Sequence, residues 1–247
     1  MPVPPASIIP FRFIISRFYI WGMECQIGDF KLVKEKGIKT CICRLNCFII
    51  LKQHSYLPPI MKFTPLEISG LYLIEPPRFE DSRGYFSESF RQDKFNQATQ
   101  TRHSFVQDNV SVSKHKGTVR GLHYQAPPFG QGKLVRCSRG KIVDVAVDIR
   151  RGSETYGQHY KTILSAKNGH QLWVPEGFLH GFSTLVDDCE VAYKVTNFYS
   201  QKHDGNVLWN DADLNIDWGL GDLKATVSDK DKAAPSFADF KSPFTAA

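Results

Sequence analysis

Lys141-Ile-Val-Asp-Val-Ala-Val-Asp-Ile-Arg150 alternates with a period of two along its whole length. Val143, Val145, Val147 and Ile149 fall on one side, and Asp144, Ala146, Asp148 and Arg150 on the other, which is the repeat of a strand. Gln171–Pro175 and Glu190–Thr196 are shorter β runs of the same kind. Gly-bearing stretches punctuate them at Phe129-Gly-Gln-Gly132, Ser138-Arg-Gly140 and Lys167-Asn-Gly169. Short strands at this spacing predict a mainly β protein, a sandwich or barrel of antiparallel strands. Helix is confined to Gln92–Gln100, with Phe95 as apolar anchor, and a second short piece near Ser228–Ala234.

The orderly pattern begins at Met61. Residues 1–60 are Pro-rich at the start, show no sustained period, and hold four of the six cysteines (Cys25, Cys41, Cys43 and Cys47). Eight Lys/Arg against three Asp/Glu there account for five of the six formal positive charges of the 247-residue chain. The expected organisation is therefore an irregular extension over 1–60 and one domain over 61–247, with Met61 as the natural start; a targeting peptide is the rival reading of the extension. The nearly neutral main part lacks the basic stripe of a general nucleic-acid binder. No apolar stretch approaches the roughly twenty residues of a membrane span. The uneven spacing of Cys41, Cys43 and Cys47 leaves a zinc knuckle as the lesser alternative to free thiols in a reducing cytoplasm.

Four clusters carry chemistry. Phe79-Glu-Asp-Ser-Arg83-Gly-Tyr-Phe-Ser-Glu88-Ser-Phe90 sets charges among aromatics, which suits either an anion- and ring-binding pocket or a solvated turn beside a core strand. Phe105-Val-Gln107-Asp108-Asn109 precedes Thr118-Val-Arg120-Gly121-Leu-His123-Tyr-Gln125. Strict alternation separates Arg120 from His123; a bulge at Gly121 would re-aim one of them. His123 itself is either a hydrogen-bonded strand residue or a base. Leu172-Trp-Val-Pro175-Glu-Gly177-Phe-Leu-His180-Gly-Phe182 is the third cluster, and Tyr193-Lys194 through Asn197-Phe-Tyr199 the fourth. Tyr193 and Tyr199 share parity, as pocket or as aromatic core.

Gly169, Pro175, Gly177 and His180 are spaced as in the second half of the cupin signature, which they resemble. A metal-binding cupin also needs His-x-His and a downstream Glu, whereas the matching place reads His123-Tyr124-Gln125. Two histidines fall short of the three or four protein ligands usual for a first-row metal. The expectation is a barrel without metal, working by acid–base chemistry.

From Met61 to about Phe240 the chain resembles the dTDP-4-dehydrorhamnose 3,5-epimerase family. The resemblance rests on Asp81-Ser-Arg83-Gly84, Phe105–Asn109, Arg120–Gln125, Gly132-Lys133-Leu-Val-Arg136-Cys137, Asp144–Arg150, Gln171–Phe182, Tyr193-Lys194, Leu208-Trp-Asn-Asp211 and Ser228-Asp-Lys230-Asp231, all in order. It implies a jelly-roll (cupin) barrel, a homodimer, no cofactor, and a dTDP-4-keto-6-deoxyhexose inverted at C3 and C5 on the way to dTDP-L-rhamnose. It also implies His123 as base held by Asp231, Tyr193 as opposing acid, and Lys133 as the cation near the keto oxygen. The implied substrate contacts are Arg83, Glu88, Gln107, Asp108, Asn109, Arg120, His180 and Lys230, with Asp204 standing where the family pattern has Glu. Arg83, Arg120 and Lys230 offer cations to a diphosphate, and Tyr199 a flat surface to thymine. A single-carbon epimerase of a related nucleotide sugar is the nearest alternative, ahead of a metal-dependent cupin enzyme and a non-catalytic sugar-nucleotide binder.

Overall fold

In the computed structural model, the period-two runs form strands and the strands form two facing sheets. The structure describes residues 60–246 and, before them, four three-residue strands: β1 (Phe18–Ile20), β2 (Met23–Cys25), β3 (Val33–Glu35) and β4 (Ile38–Thr40). The chain divides into two units, Met1–Tyr56 and Leu57–Ala247. In the first, β1 pairs with β2 and β3 with β4, both antiparallel, within the segment whose sequence shows no sustained period. The Cys41–Cys47 cluster lies outside the described residues, as does most of the segment weighed as a targeting peptide.

The second unit carries β5 (Lys62–Pro65), β6 (Tyr72–Glu75), β7 (Phe79–Asp81), β8 (Gly84–Phe86), β9 (Gln107–Ser113), β10 (Val119–Gln125) and β11 (Lys133–Arg139). It continues through β12 (Lys141–Asp148), β13 (His159–Ser165), β14 (Gln171–Val174), β15 (Phe178–Thr184), β16 (Cys189–Val195) and β17 (Asp204–Asn206). The smaller sheet runs β13-β12-β15-β10-β17 and the larger β5-β6-β14-β11-β16-β9; β7 and β8 form a separate hairpin. All these pairings are antiparallel. Two facing antiparallel sheets of this strand order are the expected jelly-roll architecture.

Three apolar clusters hold it together. Between the sheets, Val135, Leu172, Val174 and Val191 of the larger sheet meet Ile142, Ala146, Leu164, Phe178 and Phe182 of the smaller. Full burial of each such aliphatic side chain stabilises the fold by about 1.5–3 kcal/mol. Val143, Val145, Val147 and Ile149, the apolar face of the stretch quoted first, do not look into this interior. They pack outward against Leu214, Trp218 and Phe244 of the C-terminal segment. The polar face of β12 therefore points inward. On the outer side of the larger sheet, Leu134 and Trp173 are covered by Phe95 of helix α1 (Gln92–Thr99), edge-on to Trp173 at 5.0 Å between centroids. The helix ends as the sequence suggested, with Gln100 at φ 55° as its left-handed cap. A second helix, α2 (Asp229–Lys232), starts at Ser228, whose side chain accepts from the Asp231 backbone N–H.

The bulge anticipated at Gly121 is present. Register against β15 shifts between Arg120 and His123, so Val119 and Leu122, three residues apart, share the outer cluster. Gly121 sits at φ +135°, and a Cβ there would lie 2.6 Å from Gly181 Cα and 3.0 Å from the His180 carbonyl oxygen. Both contacts are backbone and cannot yield cheaply. Gly121→Ala should therefore destabilise the domain by at least about 1–3 kcal/mol, seen as a lowered denaturant midpoint; an unchanged midpoint would show that the two strands separate freely.

Candidate active site

At one end of the sandwich the inner faces are polar, and a cavity of about 460 Å³ opens between them. Arg120 and His123 reach it from β10, His180 from β15, Lys133 from β11 and Tyr193 from β16, while Lys230 and Asp231 close it from α2. Only the bulge allows Arg120 and His123 to share this wall. An adjoining compartment of about 270 Å³ shares His123, Lys133, Tyr193 and Lys230, and adds Gln107, Asn109, Tyr199 and Asp204. Imidazole and phenol thus come from facing sheets onto one space.

His123 Nε2 lies 2.7 Å from Asp231 Oδ1. Asp231 is 3% exposed and also accepts from the Gly121 backbone N–H at 3.3 Å. Burial pushes the Asp231 carboxyl upward. The His123 hydrogen bond and charge, with help from Gly121 and Ser228, more than offset this and hold it below the usual range. A carboxylate can only accept, so the shared proton sits on Nε2 and the lone pair of neutral His123 is on Nδ1. Burial raises the Tyr193 phenol; Arg120 opposes this and Asp204 adds to it. The strongest effect is on Lys133, whose ammonium is pushed down to about 8 by burial, against the charges of Asp204 and Asp144.

The rim is built from short polar links. The Arg120 guanidinium donates from Nε to Ser113 Oγ at 3.1 Å and from Nη2 to the Val112 carbonyl at 3.0 Å. Lys230 pairs with Asp204, which also accepts from the Tyr199 hydroxyl at 3.4 Å. Gln107 donates to Asn109 Oδ1 and accepts from the Tyr199 backbone N–H. The loop carrying Tyr199 is pinned by Gln125, which donates to the Phe198 carbonyl and accepts from the Ser200 N–H.

Three expected substrate contacts are not brought to the cavity within this chain. Asp108 stands between Gln107 and Asn109, so the pleat turns it to the outer face of β9, where Lys194 pairs with it at 2.9 Å. Arg83 closes the β7–β8 hairpin, its side chain 87% exposed and paired with Asp81. Glu88 accepts from Lys94 at 2.8 Å, beside α1. Conversely, Ser113, Gln131 and Asp144 support or line the site without having been singled out. Only Asp144 left a signal, as a carboxylate centred in a strongly β run. Among the described residues no group of three or more His, Cys, Asp or Glu is arranged to hold a metal ion, and no helix is long and apolar enough to cross a membrane.

The sequence model of the dTDP-4-dehydrorhamnose 3,5-epimerase family matches residues 65–239. The dTDP-4-dehydrorhamnose 3,5-epimerase of Shigella flexneri is 48% identical over 179 residues, 72% of this chain and 97% of that one. A crystal structure of the Legionella pneumophila dTDP-6-deoxy-D-glucose-3,5-epimerase, in complex with dTDP-4-keto-L-rhamnose, is 42% identical. It covers 73% of this chain and 95% of its own, with a TM-score of 0.70. A 3'-monoepimerase from Streptomyces bikiniensis, in complex with dTDP-quinovose, is 36% identical over 70% of this chain and 87% of that one, with a TM-score of 0.66.

Lys133 gives the site a measurable signature independent of any ligand. With its proton held below about pH 8 and lost above it, whereas an ordinary lysine titrates near 10.4, reductively ¹³C-methylated protein should show one lysine resonance with an early midpoint. Its loss in Lys133→Met would assign it; a midpoint near 10 would mean that the interior is wet.

Proposed function

The chain belongs to the dTDP-4-dehydrorhamnose 3,5-epimerase family, and we propose that it is an isomerase converting dTDP-4-dehydro-6-deoxy-D-glucose to dTDP-4-dehydro-L-rhamnose by inverting C3 and C5, a step of dTDP-L-rhamnose synthesis. The observation that carries this is the carboxylate-held imidazole and the phenol on facing walls, with the half-buried Lys133 ammonium beside them. A C–H next to a ketone is acidic because the resulting carbanion delocalises onto oxygen. His123 Nδ1 takes the proton, and Asp231 stabilises the imidazolium that forms. Lys133 meets the negative charge as it develops on the C4 oxygen, an effect worth about 10²–10³ in rate for a single donor. Tyr193 returns a proton to the opposite face. Because the C4 carbonyl activates both neighbours, the same pair serves C3 and C5 once the ring shifts between steps. No net oxidation occurs, so no electron carrier is required.

Arg120, with Lys230, supports the diphosphate, and Tyr199 the thymine. Gln107, Asn109, His180 and Asp204 complete the contacts available within one chain. Arg83 and Glu88 belong to this reading only if a second copy presents them, and the working form proposed is accordingly a homodimer. Val106, Val110 and Val112, exposed on the outer face of β9 and just before it, and Phe86 of the β7–β8 hairpin give such a dimer apolar surface to cover. The buried free thiols Cys137 and Cys189 support a cytoplasmic setting. The likeness to a 3'-monoepimerase favours one second reading, inversion at C3 alone.

With dTDP-4-keto-6-deoxyglucose in deuterated water, the protein should incorporate deuterium at C3 and C5. His123→Asn should lower exchange by about 10²–10⁴, whereas Tyr193→Phe should retain exchange and lose inversion. Label at C3 alone would establish the single-carbon reading, and full exchange by His123→Asn would remove the imidazole from its role. Sedimentation should give twice the chain mass, and Arg83→Ala should raise KM with little change in kcat; a monomer with full activity would exclude the dimer.

A further inference from the structure

Two aspartates on the inner face of β12 have contrasting surroundings. Asp148, fully buried, accepts from the Arg150 backbone N–H and guanidinium and from the hydroxyls of Ser153 and Thr155. It is saturated, as a structural carboxylate should be. Asp144, four residues earlier and also fully buried, has one partner: its Oδ1 lies 3.0 Å from His180 Nε2. Its Oδ2 is the one buried side-chain oxygen or nitrogen among the described residues with no hydrogen-bond partner. An under-satisfied buried carboxylate is costly, and folding alone does not call for it.

Its neighbours indicate a use. His180 lines the cavity and is the register partner of Ala146 on one side and of His123 on the other. The Asp144–His180 pair therefore repeats, one strand along, the Asp231–His123 pair: each carboxylate holds an Nε2–H, and each Nδ1 is left for whatever occupies the cavity. Three titratable groups on two elements feel Asp144: His180 on β15, through the hydrogen bond, and Lys133 and Cys137 on β11, through its charge. Its charge favours the proton on both Lys133 and Cys137. Asp144 does not itself line the cavity and so does not touch the ligand.

We propose, resting on the function given above, that Asp144 is a positioning residue: from behind the cavity wall its carboxylate holds the His180 Nε2–H, orients His180 toward the substrate and, with Asp204, places acidic groups near Lys133. His180 thereby presents its Nδ1 to the sugar.

Asp144→Asn preserves shape and can still accept from His180, but removes the charge. In the folded variant, the ¹³C-methyl-lysine midpoint of Lys133 should fall below its value in the unaltered protein. The alkaline limb of kcat should move with it, and kcat should drop at least tenfold while KM changes less than threefold. A purely structural role would lower the melting temperature and leave both pH midpoints in place, and that result overturns the proposal. Should the variant not fold, the unaltered protein decides: a downfield, slowly exchanging His180 Nε2–H in ¹H–¹⁵N spectra supports the pairing, and a freely exchanging ring overturns it. The lysine and histidine signals do not depend on turnover. Absence of sugar exchange by the unaltered protein would therefore strike at the functional reading, while the resonances judged Asp144 separately.

Discussion

The close approach of β10 to β15 at Gly121 and Gly181 governs both sides of the smaller sheet. A Cβ on either glycine would run into backbone of the other strand, and this contact leaves room for the one extra residue that offsets the pleat. On the outer side, the offset lets Val119 and Leu122 join the cluster beneath the C-terminal segment. On the inner side, it brings Arg120 and His123 to one wall. The Gly121 N–H is also donated to Asp231, so the backbone irregularity that aims the imidazole helps hold its carboxylate. Aim, tether and outer packing are thus consequences of one local geometry, as is common for bulges beside functional sites.

A polar pocket inside a β sandwich needs stability from elsewhere. Here the interior is apolar only toward one end, where Val135, Leu172, Val174 and Phe178 meet. Toward the other end, Lys133, His180 and Asp144 occupy places that a simple core would give to aliphatic residues. The two outer clusters offset that cost. One seals Val143, Val145, Val147 and Ile149 beneath the C-terminal segment, and the other seals Leu134 and Trp173 beneath Phe95, Phe90 and Phe105. With part of each sheet's outer face sealed in this way, the inner faces are free to carry charge. The low polarity that makes those charges expensive also makes them act strongly on one another.

The site is assembled from distant parts of the chain. His123 and Asp231 are 108 positions apart in sequence, and His180 and Asp144 are 36. Lys230, Asp204 and Tyr199 form a rim in which a cation, a carboxylate and a phenol restrain one another. Arg120 is braced by Ser113 and by the Val112 carbonyl at the end of an edge strand of the opposite sheet. The two sheets are therefore joined by polar contacts at the cavity mouth and by apolar ones below it.

Local sequence determined that this chain forms short strands, where the two helices among the described residues lie, and that Gly121 interrupts an alternation. Those features depend on period, turn chemistry and backbone sterics within a few residues. Ordered motifs also made the family legible, and they singled out His123, Lys133, Tyr193 and Asp231, which the fold brings to one cavity. Sequence left undecided which face of β12 looks inward: four aliphatic residues on one side mark a buried face, and both faces proved buried. Parity within Gln107-Asp108-Asn109 likewise needed the pairing with β16 to show that Asp108 turns away. Tertiary structure alone decided that Asp144 stands behind His180 and Lys133, and that Arg83 and Glu88 stand apart, because proximity across sheets depends on how layers stack rather than on any pattern along the strand.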